Sequence, residues 1–515
     1  MSVGKHHVLA VIELGTTSIR MVVGEASANK QIRKLDELAQ AVALGSETLA
    51  TGRIGRDATE RCVQAIRSFR EVLTEYGVET RHVRVVATSA VREASNSDRF
   101  CDRILVATGF EVEMLDQAEV SRLTYRAIQP QLRKQPFFRG SDVMVVEVGG
   151  GSTETLMFRK GKVSTSHLYR LGALRLRAQV EDQEVPSERR LGVMRAEMTQ
   201  LVAQVHFNLK PLTSPQMVWL GSEARFALTV LEGAPDDSGL HELRLPALKR
   251  FMRKVVAQSV DELVKAYRLT YTEAETLGPA LLIAVTLAEV LKLDRLHVGK
   301  VSLRTGILIE MATGEGWTAE YRQQVINSAL AIARKYGVDL RHARHVDAYG
   351  SQIIKVLREQ YAITPRDEVI FHVAALLHEV GQTINTASHH KHSQYMINNI
   401  DIFGLGRHDI TLAALVARYH RRAMPKPSHI DYMALNHGDR ITVSKLAAIL
   451  RVANALDRLR SARPLKLAMG LSEKGFLIEL VGDLDLNLLK QRVADQSQLF
   501  MDIFGKEIAL QAKEK

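Results

Sequence analysis

Cysteine and long apolar runs are scarce in this 515-residue chain. Two cysteines, Cys62 and Cys101, are too few for a disulfide framework or a cysteine metal cluster, so we expect neutral thiols of a reducing compartment. The most apolar later segment, 277–293, is interrupted by Glu289 and is shorter than a membrane span requires. The opening residues pass into a strand pattern without a basic-then-apolar export signal. We therefore expect a cytoplasmic protein with no membrane partner.

Negative charge is in the minority, since 69 Lys and Arg against 58 Asp and Glu give a formal charge of +11. A basic surface concentrates polyanions, which fits nucleic acid, polyphosphate and phosphorylated nucleotides equally well. The sequence has no zinc-finger spacing, basic leucine-zipper run or aromatic-basic interleaving, so we do not expect nucleic acid as a partner. The composition is that of a soluble globular protein, and the length predicts about three domains.

Two stretches share one plan, in which an apolar strand ends in a glutamate and a turn of glycine and hydroxyl residues follows. Such turns offer backbone N–H groups and hydroxyls to an oxyanion, and the carboxylate can hold a divalent cation against phosphate oxygens. Ordinary hairpins also turn on these residues, but here the whole unit repeats after 134 residues, from Glu13 to Glu147. We therefore predict a paired phosphate site. Its predicted ligands are Gly15, Thr16, Thr17, Ser18, Gly149, Gly150, Gly151, Ser152 and Thr153.

Alternating strand and helix patterns predict an α/β fold in which two similar lobes flank a cleft. Helical periodicity covers 58–76, 119–128, 246–269 and 272–291, and strand patterns cover 83–87 and 217–220. After residue 314 the sequence predicts consecutive helices, followed by a small α+β tail. The predicted domains are 1–130 for the first lobe, 131–314 for the second lobe, 315–462 for the helical domain and 463–515 for the tail.

Five motifs, in order along the chain, resemble those of the exopolyphosphatase / guanosine pentaphosphate phosphohydrolase (Ppx/GppA) family. They lie at 13–18, 51–54, 87–96, 147–154 and 171–173. The resemblance runs nearly end to end and implies two actin-like, sugar-kinase-like (ribonuclease H-like) lobes followed by an all-α HD-type domain. It implies release of terminal phosphate from polyphosphate, or of the 5′-γ-phosphate from guanosine pentaphosphate, with Mg²⁺ as cofactor. It also implies a homodimer.

The resemblance assigns roles to individual residues. Arg92 and the amides of the two turns would hold the terminal phosphoryl group, while Glu13 and Glu147 would bind Mg²⁺ where the family has aspartates. The family's water-positioning glutamate aligns with Val120, which cannot accept a proton. Either Glu119, the predicted catalytic base, acts from a shifted helix turn, or another carboxylate takes the role, or hydrolysis is very slow. Adjacent helical residues point about 100° apart, so the exchange of one position for the next is not geometrically easy. The alternative for Glu119 is a helix-start carboxylate favoured by the helix dipole.

Two further family loops have changed, at 221–225 and 303–306. Glu223 would bring negative charge to the cleft unless Arg225 offsets it. These changes raise a second hypothesis beside the hydrolase, a weakened or inactive member that senses polyphosphate or an alarmone. A third and weaker hypothesis is an actin-like or sugar-kinase ATPase.

In the predicted HD-type domain, Glu379 replaces the aspartate of the His-Asp pair with which a working HD hydrolase binds a divalent metal. We expect His345, His378 and Asp457 to form a satisfied structural network, with a metal site as the alternative. The basic residues from Arg418 onward either face solvent or extend a channel for the polyphosphate tail.

Overall fold

The computed structural model describes residues 7–181, 187–208, 212–233, 239–314, 316–421, 423–458, 464–472, 475–481 and 486–512. Its internal contacts divide the chain into two compact units. The first unit is Met1–Gly316 and the second is Trp317–Lys515. In the described ranges, no helix has both the length and the apolarity that crossing a bilayer requires.

The first sheet of the first unit has five strands in the order β3-β2-β1-β4-β5. They are β1 (His7–Leu14), β2 (Ser18–Ala26), β3 (Ile32–Ala41), β4 (Val83–Ala87) and β5 (Val112–Met114). An antiparallel meander of β1, β2 and β3 is continued in parallel by β4 and β5. The helices of this segment are α1 (Leu44–Thr51), α2 (Arg56–Glu75), α3 (Ser89–Arg92), α4 (Ser97–Thr108) and α5 (Gln117–Arg133).

The second sheet has six strands in the order β10-β11-β9-β6-β7-β8. They are β6 (Asp142–Val148), β7 (Thr153–Arg159), β8 (Lys162–Tyr169), β9 (Gln216–Leu220), β10 (Leu240–Arg244) and β11 (Arg295–Gly299). The helices are α6 (Ala173–Glu181), α7 (Ser187–Glu197), α8 (Thr199–Asn208), α9 (Ser222–Glu232), α10 (Leu245–Ala257), α11 (Val260–Tyr267), α12 (Tyr271–Val290) and α13 (Leu303–Thr313). Again an antiparallel meander, β6 to β8, is continued by parallel strands, β9 and β11. The two sheets therefore repeat one plan.

The central strand β1 is buried on both faces. Ile12 and Leu14 point into a core shared with α2 and α4. Leu9 and Val11, on the alternate face, pack into a second cluster with Leu123 of α5 and residues of α13. Because each buried aliphatic side chain contributes about 1.5–3 kcal/mol, both cores fix the position of the turn that follows β1.

The segment 246–269, predicted as one helix, is two helices. The first, α10, ends at Ala257, and α11 begins after Ser259. The side chain of Ser259 accepts a hydrogen bond from the N–H of Glu262, whose carboxylate accepts from the N–H of Ser259. This reciprocal capping box starts a new helix and was present in the sequence as Ser-x-x-Glu.

The second unit is mainly helical. Its helices are α14 (Ala319–Lys335), α15 (Leu340–Leu357), α16 (Pro365–Leu377), α17 (His389–Asn398), α18 (Arg407–Arg418), α19 (Ile430–Met433), α20 (His437–Leu456) and α21 (Leu486–Phe504). Its strands are β12 (Lys466–Leu471), β13 (Phe476–Val481) and β14 (Ile508–Ala512), which form a three-stranded sheet. Helix α16 is buried almost all round from Val369 to Leu377, which is typical of a central helix. It packs against α14, α15, α18 and α20.

Candidate functional site

The two glycine turns of the first unit meet at one cleft. Each turn closes with a hydrogen bond from its first N–H to its fourth carbonyl oxygen, at 3.1 Å in turn 15–18 and 2.8 Å in turn 149–152. A Cβ placed on Gly150 would lie 2.7 Å from Cγ2 of Thr16, so the turns touch and only glycine fits there. A cleft of about 140 Å³ is lined by residues of both turns. Residues of both turns therefore border one space, to which they can offer amide and hydroxyl donors.

Most of the predicted site residues line this cleft. They are Glu13, Gly15, Thr16, Thr17, Ser18, Arg92, Glu147, Gly149, Gly150 and Ser152. Gly151 and Thr153 belong to the same hairpin but are not among its lining residues. The hydroxyl of Thr153 donates to the carbonyl oxygen of Leu171 at 2.6 Å, and Nε of Arg175 donates to that of Gly151 at 3.1 Å. These hydrogen bonds stabilise the second turn on the side that does not line the cleft.

The motif at 171–173 also holds the second turn in place. A Cβ on Gly172 would lie 2.5 Å from the carbonyl oxygen of Gly149. The next N–H, that of Ala173, donates to the same oxygen at 2.8 Å. Glycine is required here because the backbone of the motif lies directly against the backbone of the turn.

Four arginines and four glutamates line the cleft: Arg20, Arg92, Arg225, Arg304, Glu13, Glu147, Glu154 and Glu223. The side chain of Arg304 is only 4% exposed and pairs with Glu13 and, at 3.1 Å, with Glu37. Nη2 of Arg20 donates to the hydroxyl of Ser222 at 3.2 Å. The cations needed to hold a polyanion are present, and part of their charge is balanced by carboxylates within the cleft.

The second hairpin carries two carboxylates side by side. Glu147 and Glu154 stand directly opposite each other in the β6–β7 ladder, so their side chains share a face. Burial and then the negative charge of Glu13 raise the pKa of Glu147 to about 7. Burial and then the charge of Glu147 raise the pKa of Glu154 to about 8. Both carboxyl groups therefore titrate close to neutral pH, where a general base works best.

Glu119 does not line the cleft. Its carboxylate accepts a hydrogen bond from the N–H of Asp116 at 3.1 Å, and its own N–H donates to the Asp116 carboxylate at 2.9 Å. This is a capping box at the start of α5. Val120 lines the cleft wall instead and packs with Leu123 and Leu303. The geometry matches the helix-start alternative for Glu119, and its catalytic role stays a prediction.

Sequence reasoning missed several charged residues of the cleft. The sequence analysis gave no role to Glu154, which lies in the second motif. A tight hairpin pairs this residue with Glu147 on the neighbouring strand. Arg20 stands opposite Glu13 in the β1–β2 ladder for the same reason. Arg304 lay in a loop noted only for its change from the family pattern. Cross-strand register was the available signal for the first two residues.

In the second unit, the network predicted around Asp457 is present but has different members. The carboxylate of Asp457 accepts from Nδ1 of His342 at 2.7 Å and from Nδ1 of His345 at 2.8 Å. His378 instead donates its Nδ1–H to the carbonyl oxygen of Ala375 at 2.8 Å. His342 was not predicted to take part.

Comparison with known proteins identifies the family. A model of the Ppx/GppA phosphatase family matches residues 22–315, which is more than half of the chain. The chain belongs to the Ppx/GppA phosphatase family. A second model, of domain III of Ppx/GppA phosphatases, matches residues 324–506.

Curated relatives of this Ppx/GppA chain align over most of their length. A guanosine-5′-triphosphate,3′-diphosphate pyrophosphatase of Photobacterium profundum is 24% identical over 450 residues, 86% of this chain and 86% of the relative. A protein of the same name from Aliivibrio fischeri is 23% identical over 478 residues, 92% of this chain and 90% of the relative.

Solved structures support the fold. The crystal structure of the Aquifex aeolicus Ppx/GppA family member aligns with a TM-score of 0.50 at 23% identity, over 60% of this chain and 99% of that one. An exopolyphosphatase from Cytophaga hutchinsonii aligns with a TM-score of 0.52 at 22% identity, over 60% of this chain and 98% of that one. The prediction of an actin-like Ppx/GppA fold with a helical C-terminal region is confirmed at this level.

Proposed function

We propose that this chain hydrolyses the terminal phosphoanhydride bond of guanosine pentaphosphate or of inorganic polyphosphate. The observation that carries the proposal is the contact between the two glycine turns, which brings amides and hydroxyls from both sheets to one cleft. Such donors, fixed before the substrate binds, stabilise the charge that develops on a transferring phosphoryl group. The names of the curated relatives and of the Cytophaga protein support the same reaction class.

Arg92 would contribute a charged donor to the phosphoryl group. One of its Nη atoms donates to the carbonyl oxygen of Leu115 at 2.7 Å, which orients the guanidinium at the cleft wall. A guanidinium has five N–H donors, so several would face phosphate oxygens. Arg20 and Arg225 would extend the cationic wall along a longer polyanion.

Hydrolysis requires that water attack the terminal phosphorus, that the bond to the leaving phosphate oxygen break, and that a base take the proton of the water. We assign the base to Glu154. Glu154 lines the cleft, and burial and then the charge of Glu147 raise its pKa to about 8, which makes its deprotonated form a stronger proton acceptor than an ordinary carboxylate. Glu119 has weaker support in that role, because its carboxylate caps the start of α5 and does not line the cleft.

The Mg²⁺ predicted for this site would bind to Glu13 and Glu147, since carboxylate oxygens are the ligands that this ion prefers. Both residues line the same cleft, and the charge of Glu13 is one cause of the raised pKa of Glu147, so the two carboxyl groups lie close enough to interact. Two neighbouring carboxylates thus carry negative charge that a divalent cation would offset. When bound, the ion would neutralise charge on the phosphate oxygens. Arg304, paired with Glu13, limits how much of that charge is available.

Phosphate release from guanosine pentaphosphate and from polyphosphate, each with Mg²⁺, tests the proposal. We expect wild-type protein to act on at least one of them, and Glu154→Gln to lower kcat by about 10²–10⁴-fold, as loss of a general base does. Glu60→Gln is the matched control, because Glu60 forms an exposed ion pair with Arg103 outside the cleft. Binding of both substrates without phosphate release from either would contradict the hydrolase and favour the sensing hypothesis.

Val120→Glu tests whether the cleft needs a base at the position that the family uses. We expect phosphate release by wild-type protein, so that the added carboxylate is not required. Activity confined to Val120→Glu would show that the natural chain has lost its base. Because Val120 packs against Leu123 and Leu303, its thermal unfolding is measured beside the activity.

A further inference from the structure

We propose that the second unit binds a divalent transition-metal ion of the Zn²⁺ type through Nε2 of His342, Nε2 of His378 and the carboxylate of Glu379. The three ligand atoms lie within 4.8 Å of one another. Nε2 of His342 is 3.9 Å from Oε1 of Glu379. That separation is too long for a hydrogen bond but is spanned by one ion with bonds of about 2.0–2.2 Å to nitrogen and oxygen.

The two histidines are oriented as metal ligands are. Each donates its Nδ1–H to an oxygen, His342 to Asp457 at 2.7 Å and His378 to the carbonyl of Ala375 at 2.8 Å. Their Nε2 atoms therefore carry the lone pair. A histidine that binds a metal through one ring nitrogen almost always donates the other N–H to a carboxylate or carbonyl.

Neither Nε2 atom has a hydrogen-bond partner within the described ranges. The side chain of His342 is 3% exposed, and His378 is fully buried. A buried acceptor without a partner loses its hydration and gains nothing in return. An ion between these atoms would supply the missing partner for both.

A second pair of histidines extends the cluster. His389 and His420 donate their Nδ1–H groups to the carbonyls of Thr386 and Ala417, at 3.0 Å and 2.6 Å. Their Nε2 atoms face each other at 3.3 Å. With both Nδ1 positions protonated, two lone pairs meet there, and either a proton or a metal cation between them would make that contact favourable. The ring of His420 also lies edge-on to that of His378, with centroids 4.9 Å apart.

A cavity of about 210 Å³ gives the ion a way in. Its lining includes His342, Glu379, His389, His420, Arg421 and Arg458. The two arginines would hold water or an anion as a further ligand beside the metal. Imidazole donors favour zinc, iron, nickel or copper, whereas Mg²⁺ prefers oxygen ligands alone. The ion proposed here is therefore distinct from the Mg²⁺ proposed for the first unit, and this inference does not rest on the proposed function.

Metal loading of the full-length chain tests the site. After incubation with Zn²⁺ and dialysis, we expect about one equivalent of zinc per chain, with imidazole nitrogens at about 2.0–2.1 Å by X-ray absorption. With Co²⁺ in its place, we expect a visible absorption band that His378→Gln and Glu379→Gln each abolish. His437→Gln, at an exposed position, is the matched control and should keep the band.

Two results would overturn the site. One is retention of less than about one-tenth of an equivalent of zinc by the wild-type chain, and the other is a cobalt band that both ligand variants leave unchanged. Glu379 is 11% exposed, so Glu379→Gln and X-ray absorption on wild-type protein keep the test decisive even if His378→Gln fails to fold. Glu147→Gln, in the cleft of the first unit, should leave the bound zinc unchanged.

Discussion

The hairpins β1–β2 and β6–β7 share a backbone plan and differ in charge. In the first, Glu13 faces Arg20 across the ladder and also pairs with Arg304. In the second, Glu147 faces Glu154, and both have raised pKa values. The turn residues decide where an oxyanion can sit, whereas the partner across the strand decides what chemistry is available there. The first hairpin holds a carboxylate that is paired with a cation, and the second holds two carboxyl groups whose pKa values are raised towards neutral pH.

Removal of Arg304 would break the charge balance of the first hairpin. Arg304→Met leaves Glu13 and Glu37 without their shared cation at a site where the guanidinium is 4% exposed. We expect the free energy of unfolding to fall by about 3 kcal/mol, the low end for a broken buried pair, because Glu37 is partly exposed and water screens its charge. Denaturant unfolding at neutral pH measures the change.

Arg103→Met is the control for Arg304→Met. Arg103 pairs with Glu60 at 2.9 Å, and both side chains are well exposed. An exposed pair contributes about 0–1 kcal/mol, so the control should change stability little. Equal losses in the two variants would contradict the structural role given to Arg304.

The second hairpin should make activity depend on pH. If Glu154 is the base, kcat/KM falls about tenfold for each pH unit below its pKa, because only the carboxylate accepts the proton. That pKa is about 8 without Mg²⁺ and is lower when Mg²⁺ offsets the charge of Glu147. The profile is measured with guanosine pentaphosphate and polyphosphate at constant ionic strength. In Glu154→Gln the residual activity should lose this acidic limb. An unchanged limb in that variant would assign the titration to another group.

The same two carboxyl groups should make stability depend on pH in a stated direction. The folded pKa of Glu154, about 8, lies above the ordinary value of 4.5 that an unfolded chain has. Between these values the folded state binds more protons, so the contribution of Glu154 to stability is fully present below about pH 4.5 and is lost as pH rises towards 8. Glu147 adds to the decline up to about pH 7. Thermal unfolding across this range should show a smaller decline in Glu154→Gln than in Glu60→Gln.

The strongest local patterns predicted the fold and the paired turns. Buried strands such as β4, at the predicted 83–87, and long amphipathic helices such as α2 have periodicities that do not depend on distant residues. The repeated strand and turn also located the cleft, because each repeat places its turn after the first strand of its own sheet. Strand β3 was not predicted, since it is an edge strand with charged and largely exposed residues.

The charges of the cleft could not be predicted from local patterns. Arg304 reaches Glu13 from 291 residues away, and that contact exists only once the two sheets have folded. The direction of the Glu119 side chain depends on whether Asp116 caps α5, a choice made by a few hydrogen bonds. Residue type and motif position predicted most of the residues that line the cleft. Tertiary contacts determine the role of each of these residues.

Glu119→Ala should have the smallest effect, and it separates helix capping from catalysis. Loss of its contact with the N–H of Asp116 should lower the free energy of unfolding by about 0.5–1 kcal/mol, as loss of part of a capping box does. Turnover should stay within about twofold of wild type, because the carboxylate does not line the cleft that Glu154 shares.

Asp116→Ala is the matched control, since it removes the other half of the same capping box. Both variants should lose similar stability and keep similar turnover if the pair serves only to start α5. A fall in kcat of about 10²-fold in Glu119→Ala alone would make Glu119 the base, as the family alignment predicts, and would overturn the assignment to Glu154. Because the two variants share the structural cost, the difference between their rates isolates the chemistry.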